Sequence, residues 1–342
     1  MNYDFIIIGS GIGGLVSGII LAKEGYSVCI LEKHHHAGGN LQAFTRDGFK
    51  FSTGLHYIGS MDEGQTLHRF FKYLGILPEL KIKQLDKEGY DRIVFGEEDT
   101  QYSLAQGWDR FRDSLEGQFP GERDAIKGYI ATVRESIRNI PLYDLETADS
   151  FNLDFSRLNQ CTMSYLGGLT QNRRLQHILA GGNSVYHGAA HRTPLYMHAC
   201  IRNSFVSSAW KVTGGSDHLT DVLLSMLSTC GGKVYTDAEV TGFSFSGDKI
   251  DGVALKDGRT FFGKQIISNM HPAATLKLKG LENIRGGFRQ RIEGLENSAG
   301  FFTLYLVFKE GFFPYLNYNL FQYYSDDYFN DEIPDDSWPH CV

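Results

Sequence analysis

No apolar run in this sequence approaches the roughly 20 residues that a helix needs to cross a bilayer, so nothing reads as a membrane span. There is no cluster of lysine and arginine, and the net charge is −7, which argues against nucleic acid as a partner. The five cysteines, Cys29, Cys161, Cys200, Cys230 and Cys341, are scattered and include no C-x-x-C pair. A disulfide framework and a zinc site are therefore poor readings, and a reducing cytoplasm fits. The first residues enter an apolar strand at once, with no basic n-region and no cleavage site, so no secretion signal is expected. Internal repeats and low-complexity linkers are also missing. What is left is an ordinary globular composition, 342 residues with 42% hydrophobic and 21% charged, long enough for one large domain or two. A chain of this size buries roughly three quarters of its unfolded surface.

The informative stretch is Tyr3 to Asn40, YDFIIIGSGIGGLVSGIILAKEGYSVCILEKHHHAGGN. The apolar run Phe5 to Ile8 leads into Gly9-Ser10-Gly11-Ile12-Gly13-Gly14. A helical pattern follows, then the apolar run Val28 to Leu31, which ends on Glu32. Strand, glycine turn, helix, strand and acid in this order form a dinucleotide-binding unit. Gly9 allows the tight turn, Gly11 lets backbone approach a pyrophosphate, and Gly14 lets the helix lie against the strands. The helix starts at the turn, so its free N–H groups and positive dipole end face the phosphates. Glu32 stands about 20 residues beyond the first glycines, where a carboxylate accepts from both ribose hydroxyls. It would repel a 2′-phosphate, which excludes NADP. A lone glycine triplet is weak evidence; the flanking strand, helix and acid outweigh a purely structural βαβ turn.

Beyond Glu32-Lys33 comes a loop, His34-His35-His36-Ala37, then Gly38-Gly39-Asn40, and later Phe49-Lys50-Phe51-Ser52-Thr53-Gly54-Leu55-His56-Tyr57-Ile58-Gly59. An NAD-only domain would go on into another helix and a third parallel strand. Here a second glycine pair lets backbone approach another part of a long cofactor. E-K-x4-G-G-N followed by G-F-x-F-x-T-G-x-H-Y-I-G resembles the FAD-binding N-terminus of the carotenoid desaturase superfamily, and within it the phytoene desaturase and retinol saturase branches. The superfamily usually has Asp where this chain has Ser52, and many members have Arg where it has Asn40; the first departure removes a carboxylate near the flavin.

The resemblance implies a fold: a Rossmann-like FAD-binding domain, βαβ plus a three-stranded antiparallel meander, with an inserted α+β substrate domain. The expected division is 1–70 for the first part of the FAD domain, 71–205 for the substrate or cap region, 206–280 for the second part of the FAD domain, and 281–342 for the start of a second substrate segment. Helices are expected over Glu63 to Leu74 (Leu67, Phe70, Phe71 and Leu74 on one face), Trp108 to Phe119, Arg123 to Ile137 and Gln171 to Leu179. Short strands are expected at Leu80 to Leu85, Arg92 to Phe95 and Gln101 to Leu104. Leu142 to Leu169 shows no clean period. After Gly214-Gly215, Ser216 is a candidate N-cap for a helix with Leu219, Val222, Leu223, Met226 and Leu227 on one stripe. Lys233 to Tyr235 reads as a strand. Val240 to Phe245, Ile250 to Leu255 and Arg259 to Phe262 read as a meander across Gly247-Asp248 and Asp257-Gly258. Gln265 to Ser268 reads as a further strand. Helices are expected at His271 to Leu278 and Gly286 to Leu295, and aromatic strands at Phe301 to Phe308 and Asn319 to Tyr324. An acidic stretch, Asp326 to Asp336, follows. Superfamily members run well beyond Val342 into another glycine-rich segment over the flavin ring, absent from this sequence; the expectation is a fragment or a less enclosed ring.

The cofactor residues that pattern and resemblance together point to are Gly9, Ser10, Gly11, Ile12, Gly13, Gly14, Glu32, Lys33, Gly38, Gly39, Asn40, Gly54, His56, Val240 and Ser268. Val240 stands where a backbone contact to adenine is expected, and Ser268-Asn269 resembles the superfamily's S-N-A segment. His56 is the one weak catalytic candidate, as a hydrogen-bond or proton donor on the substrate face, against an ordinary backbone-satisfied histidine. The triplet His34 to His36 reads better as a solvated loop than as a metal site, because adjacent loop histidines rarely point at one centre. Tyr57, Tyr196, Met197 and Trp210 read as core more readily than as channel lining. The resemblance implies hydride transfer between FAD and an apolar polyene or isoprenoid, with NAD(P)H a candidate electron donor, no nucleic acid, and a cytoplasmic location with peripheral contact to the inner membrane face allowed. The alternatives are a non-catalytic lipid-binding protein on the same scaffold, like the Rab escort and GDP-dissociation-inhibitor proteins, and an amine or porphyrinogen oxidase.

Overall fold

The computed structural model describes residues 2–138, 140, 143, 159–182, 185, 192–281, 284–296 and 301–323. The acidic stretch 326–336, Cys341 and most of the stretch 142–158 lie outside them. In chain order the strands are β1 (Asn2–Ile8), β2 (Val28–Leu31), β3 (Ala43–Arg46), β4 (Phe49–Ser52), β5 (Ile58–Gly59), β6 (Ile82–Gln84), β7 (Asp91–Phe95), β8 (Tyr102–Leu104), β9 (Ala209–Val212), β10 (Lys233–Tyr235), β11 (Val240–Ser246), β12 (Lys249–Leu255), β13 (Thr260–Ser268) and β14 (Asn319–Tyr323). The helices are α1 (Ile12–Lys23), α2 (Thr66–Leu74), α3 (Trp108–Gln118), α4 (Arg123–Arg138), α5 (Thr162–Leu169), α6 (Arg173–Ala180), α7 (Leu195–Ser207), α8 (Ser216–Thr229), α9 (Pro272–Thr275) and α10 (Gly286–Glu293). None of the described helices is long and apolar enough to cross a membrane.

The chain divides into two compact units. The first comprises Met1–His56, Phe70–Ile82 and Val212–Ser298; the second comprises Tyr57–Arg69, Lys83–Lys211 and Ala299–Val342. The first is built on a Rossmann-like sheet in the order β10-β2-β1-β13-β12-β11. Its β10, β2, β1 and β13 run parallel, and β11, β12 and β13 form the antiparallel meander. Parallel strands are covered on both faces, which is why β2 is apolar throughout and β1 is apolar from Phe5 to Ile8. Ile6, Ile7 and Ile8, and all of Val28 to Leu31, are buried. Ile6, Ile8, Leu31, Val240, Val253 and Phe261 pack into one core between the parallel and antiparallel parts. Each such side chain contributes roughly 1.5–3 kcal/mol by burial. Helices α1 and α8 pack against each other beside this sheet.

The second unit has the sheet β14-β7-β8, with β14 parallel and β8 antiparallel to β7. Side chains from β7, β8, α3, α4, α6 and α7 fill its core, among them Phe95, Phe111, Tyr129 and Ile178.

Several expectations change. Arg259 to Phe262 and Gln265 to Ser268 form one strand, because the register with β1 runs unbroken from Asn2↔Phe262 to Ile8↔Ser268. The interruption at Gly263-Lys264 is absorbed: a Cβ on Gly263 would crowd Ile6, and Lys264 pairs with Asp4 at 2.7 Å. Ser216 does not cap α8. Gly215, at φ +100°, is the N-cap, and the Ser216 hydroxyl donates to the Gln42 carbonyl at 3.0 Å. In α2, Phe71 and Leu74 are buried but Phe70 is exposed, being turned about 100° from Phe71 on the helix. Phe301 to Phe308 forms no strand; Phe301 and Phe302 are 71% and 83% exposed. Aromatic β-propensity reflects packing against neighbouring strands, and no described strand pairs with this stretch. Helix α5 lies inside the stretch that showed no period.

Candidate cofactor site

The site is assembled at the carboxyl ends of β1 and β2. The chain turns at Gly9, with φ +98°, a left-handed conformation that favours glycine. Its N–H donates to the Leu31 carbonyl at 2.8 Å. Gly11 is the N-cap of α1; no side chain caps this end, and the first turn carries no acidic residue. The amides of the first turn therefore present a positive, uncapped end suited to a diphosphate. A Cβ on Gly14 would collide with the Gly9 carbonyl, so only glycine lets the helix start this close to β1.

The carboxylate of Glu32 is buried behind the turn. Its Oε2 accepts the Ser10 hydroxyl at 2.6 Å and the Ser10 backbone N–H at 3.0 Å. Its Oε1 accepts the His34 backbone N–H at 3.0 Å. Burial raises the Glu32 carboxyl, but the Ser10 hydroxyl and the His34 and Ser10 amides outweigh it, so the group sits below the usual range and is ionised. The Gly38 N–H is shared between the Ser10 carbonyl at 3.2 Å and the Ser10 hydroxyl at 3.1 Å. A Cβ on Gly39 would stand 3.1 Å from Gly11 Cα, so the two glycine segments lie on one another.

The structure brings together Gly9, Ser10, Gly11, Gly13, Gly14, Glu32, Gly38 and Gly39. Ile12 and Lys33 are exposed. Asn40 lies in the turn Gly39–Leu41, and Gly54 backs onto it; a Cβ there would be 2.7 Å from the Asn40 carbonyl. Val240 is buried opposite Leu255. His56 is exposed at the end of a segment of the first unit. The hydroxyl of Ser268 pairs with Thr275 at 2.7 Å.

The residue over the glycine turn is its neighbour, Asn269. Its N–H donates to the Ile8 carbonyl at 2.8 Å, and its side-chain oxygen is 2.7 Å from where a Cβ on Gly13 would stand. The S-N-A resemblance covers Asn269, but only Ser268 of that pair is among the expected cofactor residues. The available signal was position, because Asn269 follows the strand beside β1, and ligands gather at the carboxyl ends of such strands. Among the histidines, His34 serves Glu32 through its backbone, and the rings of His35 and His36 lie 4.1 Å apart. Among the described residues, no group of three or more His, Cys, Asp or Glu is placed to hold a metal ion.

The arrangement fits the adenosine diphosphate half of a dinucleotide. The uncapped end of α1 suits the phosphates, the ionised Glu32 suits a ribose hydroxyl, and the glycines keep both approaches free of side chains.

The second unit contains a buried polar cluster that the sequence did not suggest. Tyr57 donates to Asp91 Oδ2 at 3.1 Å, and Asn319 donates to Asp91 Oδ1 at 2.8 Å. Arg202 bonds the Leu179 carbonyl at 2.8 Å, the Gly181 carbonyl and the Tyr90 hydroxyl. Tyr129 Oη is 2.7 Å from His198 Nε2. Burial, with the Arg202 charge adding to it, pushes His198 down to about 3, so the imidazole is neutral. Tyr57, Tyr90, Asp91, His198 and Arg202 line a cavity of about 10 Å³, the size of one water.

A family model described as flavin containing amine oxidoreductase matches residues 12–338. The human all-trans-retinol 13,14-reductase is 27% identical over 355 residues, covering 95% of this chain and 57% of its own length. Prolycopene isomerase 1 of an Oncidium hybrid is 28% identical over 289 residues, covering 78% of this chain and 48% of its own. The chain thus spans about half the length of the curated relatives it matches. Among solved structures, the PF1083 protein of Pyrococcus furiosus superposes with a TM-score of 0.63 at 19% identity, covering 87% of this chain and 66% of that one. A putrescine oxidase double mutant gives a TM-score of 0.59 at 18% identity, covering 86% and 63%. These last two likenesses concern the fold.

Proposed function

The chain belongs to the flavin containing amine oxidoreductase family, and from that footing we propose that it holds FAD and passes hydride to or from an apolar polyene or isoprenoid. The relatives' names, a retinol reductase and a prolycopene isomerase, support a substrate of the retinoid and carotenoid class. The observation that carries the reading is the ionised, buried Glu32 beside the uncapped N-terminus of α1.

Gly9 to Gly14 would take the diphosphate, Glu32 would accept from the ribose, and Gly38-Gly39 would let backbone approach the middle of the cofactor. Bound flavin supplies the hydride chemistry at N5. A polyene has no polar handle near its reacting carbons, so the protein would orient it with apolar walls and exclude water. His56 is the candidate for donating a proton or hydrogen bond beside the reacting carbons. NADH or NADPH is the candidate electron source for a reduction.

A lipid-binding protein on this scaffold would have no use for an ionised carboxylate buried at the glycine turn, so Glu32 favours the flavin reading over that alternative. The test is the visible spectrum of the purified full chain. The bands of oxidised flavin are expected, directly or after refolding with FAD; a preparation colourless in both cases overturns the reading. Anaerobic titration of the loaded protein with NADH, NADPH, retinoids, carotenoids and amines then separates a polyene enzyme from an amine or porphyrinogen oxidase.

A further inference from the structure

We infer that Ser10 is a positioning residue for the adenosine end of the cofactor: its hydroxyl fixes the Glu32 carboxylate, ties it to the Gly38 loop, and leaves one acceptor position for the ribose. The inference rests on the flavin reading above and deepens it.

A serine hydroxyl has one proton to give and two lone pairs. In Ser10, which is fully buried, the proton goes to Glu32 Oε2 at 2.6 Å, and one lone pair takes the Gly38 N–H at 3.1 Å. The same residue's backbone N–H also reaches Oε2 at 3.0 Å, and His34 N–H reaches Oε1 at 3.0 Å. A carboxylate offers about four acceptor positions. Three are filled, two of them by Ser10, and the open one is on Oε1. Glu32 therefore reads a single ribose hydroxyl, not the pair expected from the sequence. Alanine at position 10 would keep the backbone bonds but remove the charge-assisted hydroxyl bond from a carboxylate that is only 6% exposed. It would also cut the side-chain link between the glycine turn and the Gly38 loop.

The experiment uses the full chain and measures Kd for ADP and FAD by calorimetry in the wild type, Ser10→Ala, Glu32→Ala and the double variant. Ser10→Ala is expected to weaken ADP about tenfold, the value of a hydrogen bond to a charged group. In the Glu32→Ala background the same change is expected to matter by less than about twofold, because the hydroxyl acts through the carboxylate. Additive effects, or an unchanged Kd in Ser10→Ala, overturn the inference while wild-type binding leaves the flavin reading standing. A full chain that binds neither ADP nor FAD overturns both.

The pH profile separates positioning from a general loosening. Losing the hydroxyl bond raises the Glu32 pKa, so the acid-side loss of ADP binding is expected at a higher pH in Ser10→Ala than in the wild type. The charged groups around the carboxylate are Lys33 and His34 on its own loop, with Asp237 and Glu239 flanking Ala238, whose N–H donates to the Glu32 carbonyl at 2.8 Å; the turn from Gly9 to Gly14 brings none. An acid limb that does not move counts against the proposal. Should Ser10→Ala melt far below the wild type, Ser10→Cys, which keeps the bulk but offers only a weak thiol donor, goes through the same cycle.

Discussion

Tyr57, half-buried, donates its phenolic hydrogen to the carboxylate of the buried Asp91, at 3.1 Å, in the second unit. Burial pushes Asp91 up from 3.8 to about 6, while the Asn319 amide, the Arg202 charge and the Tyr57 hydroxyl pull it down. Between those two values the folded protein keeps a proton that the unfolded chain has released. Stability contributed here therefore falls as pH rises from about 4 to about 6, and is level above that. A shift of about two units corresponds to about 3 kcal/mol. Asp91→Asn removes the titration. Urea unfolding followed by tryptophan fluorescence at several pH values should show the wild type losing ground to Asp91→Asn across this window. Parallel curves for the two proteins would remove Asp91 as the source.

Glu32→Gln is expected to weaken FAD about tenfold or more while leaving the fold intact. Three donors converge on the carboxylate, from Ser10 and His34. An amide must turn its own NH2 toward one of these donors, leaving it without an acceptor at a cost of about 1–3 kcal/mol. Flavin retained through gel filtration, with far-UV circular dichroism as the fold control, reads this out; full retention would take the ribose role from Glu32.

Gly14→Ala tests the close approach of α1 to β1. The added Cβ falls on the Gly9 carbonyl, which is backbone and cannot swing away. Overpacking of this kind costs about 1–3 kcal/mol, so a lower melting temperature and weaker ADP binding are expected together. Melting and affinity equal to wild type would mean that the turn tolerates a side chain.

His56→Phe is expected to leave FAD bound and to slow turnover with whichever polyene the protein accepts. His56 is exposed, and the donors to Glu32 come from Ser10 and His34, so the grip on the ribose end is expected to hold. Single-turnover rates with saturating substrate measure the effect, and a rate equal to wild type returns His56 to a structural role.

The first forty residues were legible because their signals are local. Two apolar runs, a glycine turn and an acid lie within a short stretch, and each names its own conformation. Helix α7 was not legible, because the side chains it turns inward include His198, Arg202 and Asn203, which mask the apolar period. The pairing of Ser10 with Glu32 joins residues 22 apart, and that of Tyr57 with Asp91 joins residues 34 apart; no spacing rule predicts either. The sequence alone divides strand β13 near Gly263, because its continuity depends on β1, whose sequence lies at the other end of the unit. Phe301 to Phe308 erred the other way: its composition suits a strand, but a partner strand is a property of the fold.

The neighbours of β1 reach it at very different times during synthesis. β2 follows within one helix, but β13 begins only at Thr260, about 250 residues after Ile8. At about 5–20 residues per second, the growing chain carries one apolar strand edge without its mate for roughly ten to fifty seconds. An edge left open for that long is a template for wrong pairing. The yield of folded protein should therefore be set by how well that edge is shielded during translation, by the ribosome's attendant chaperones or by lower temperature, more than by the stability of the finished sheet.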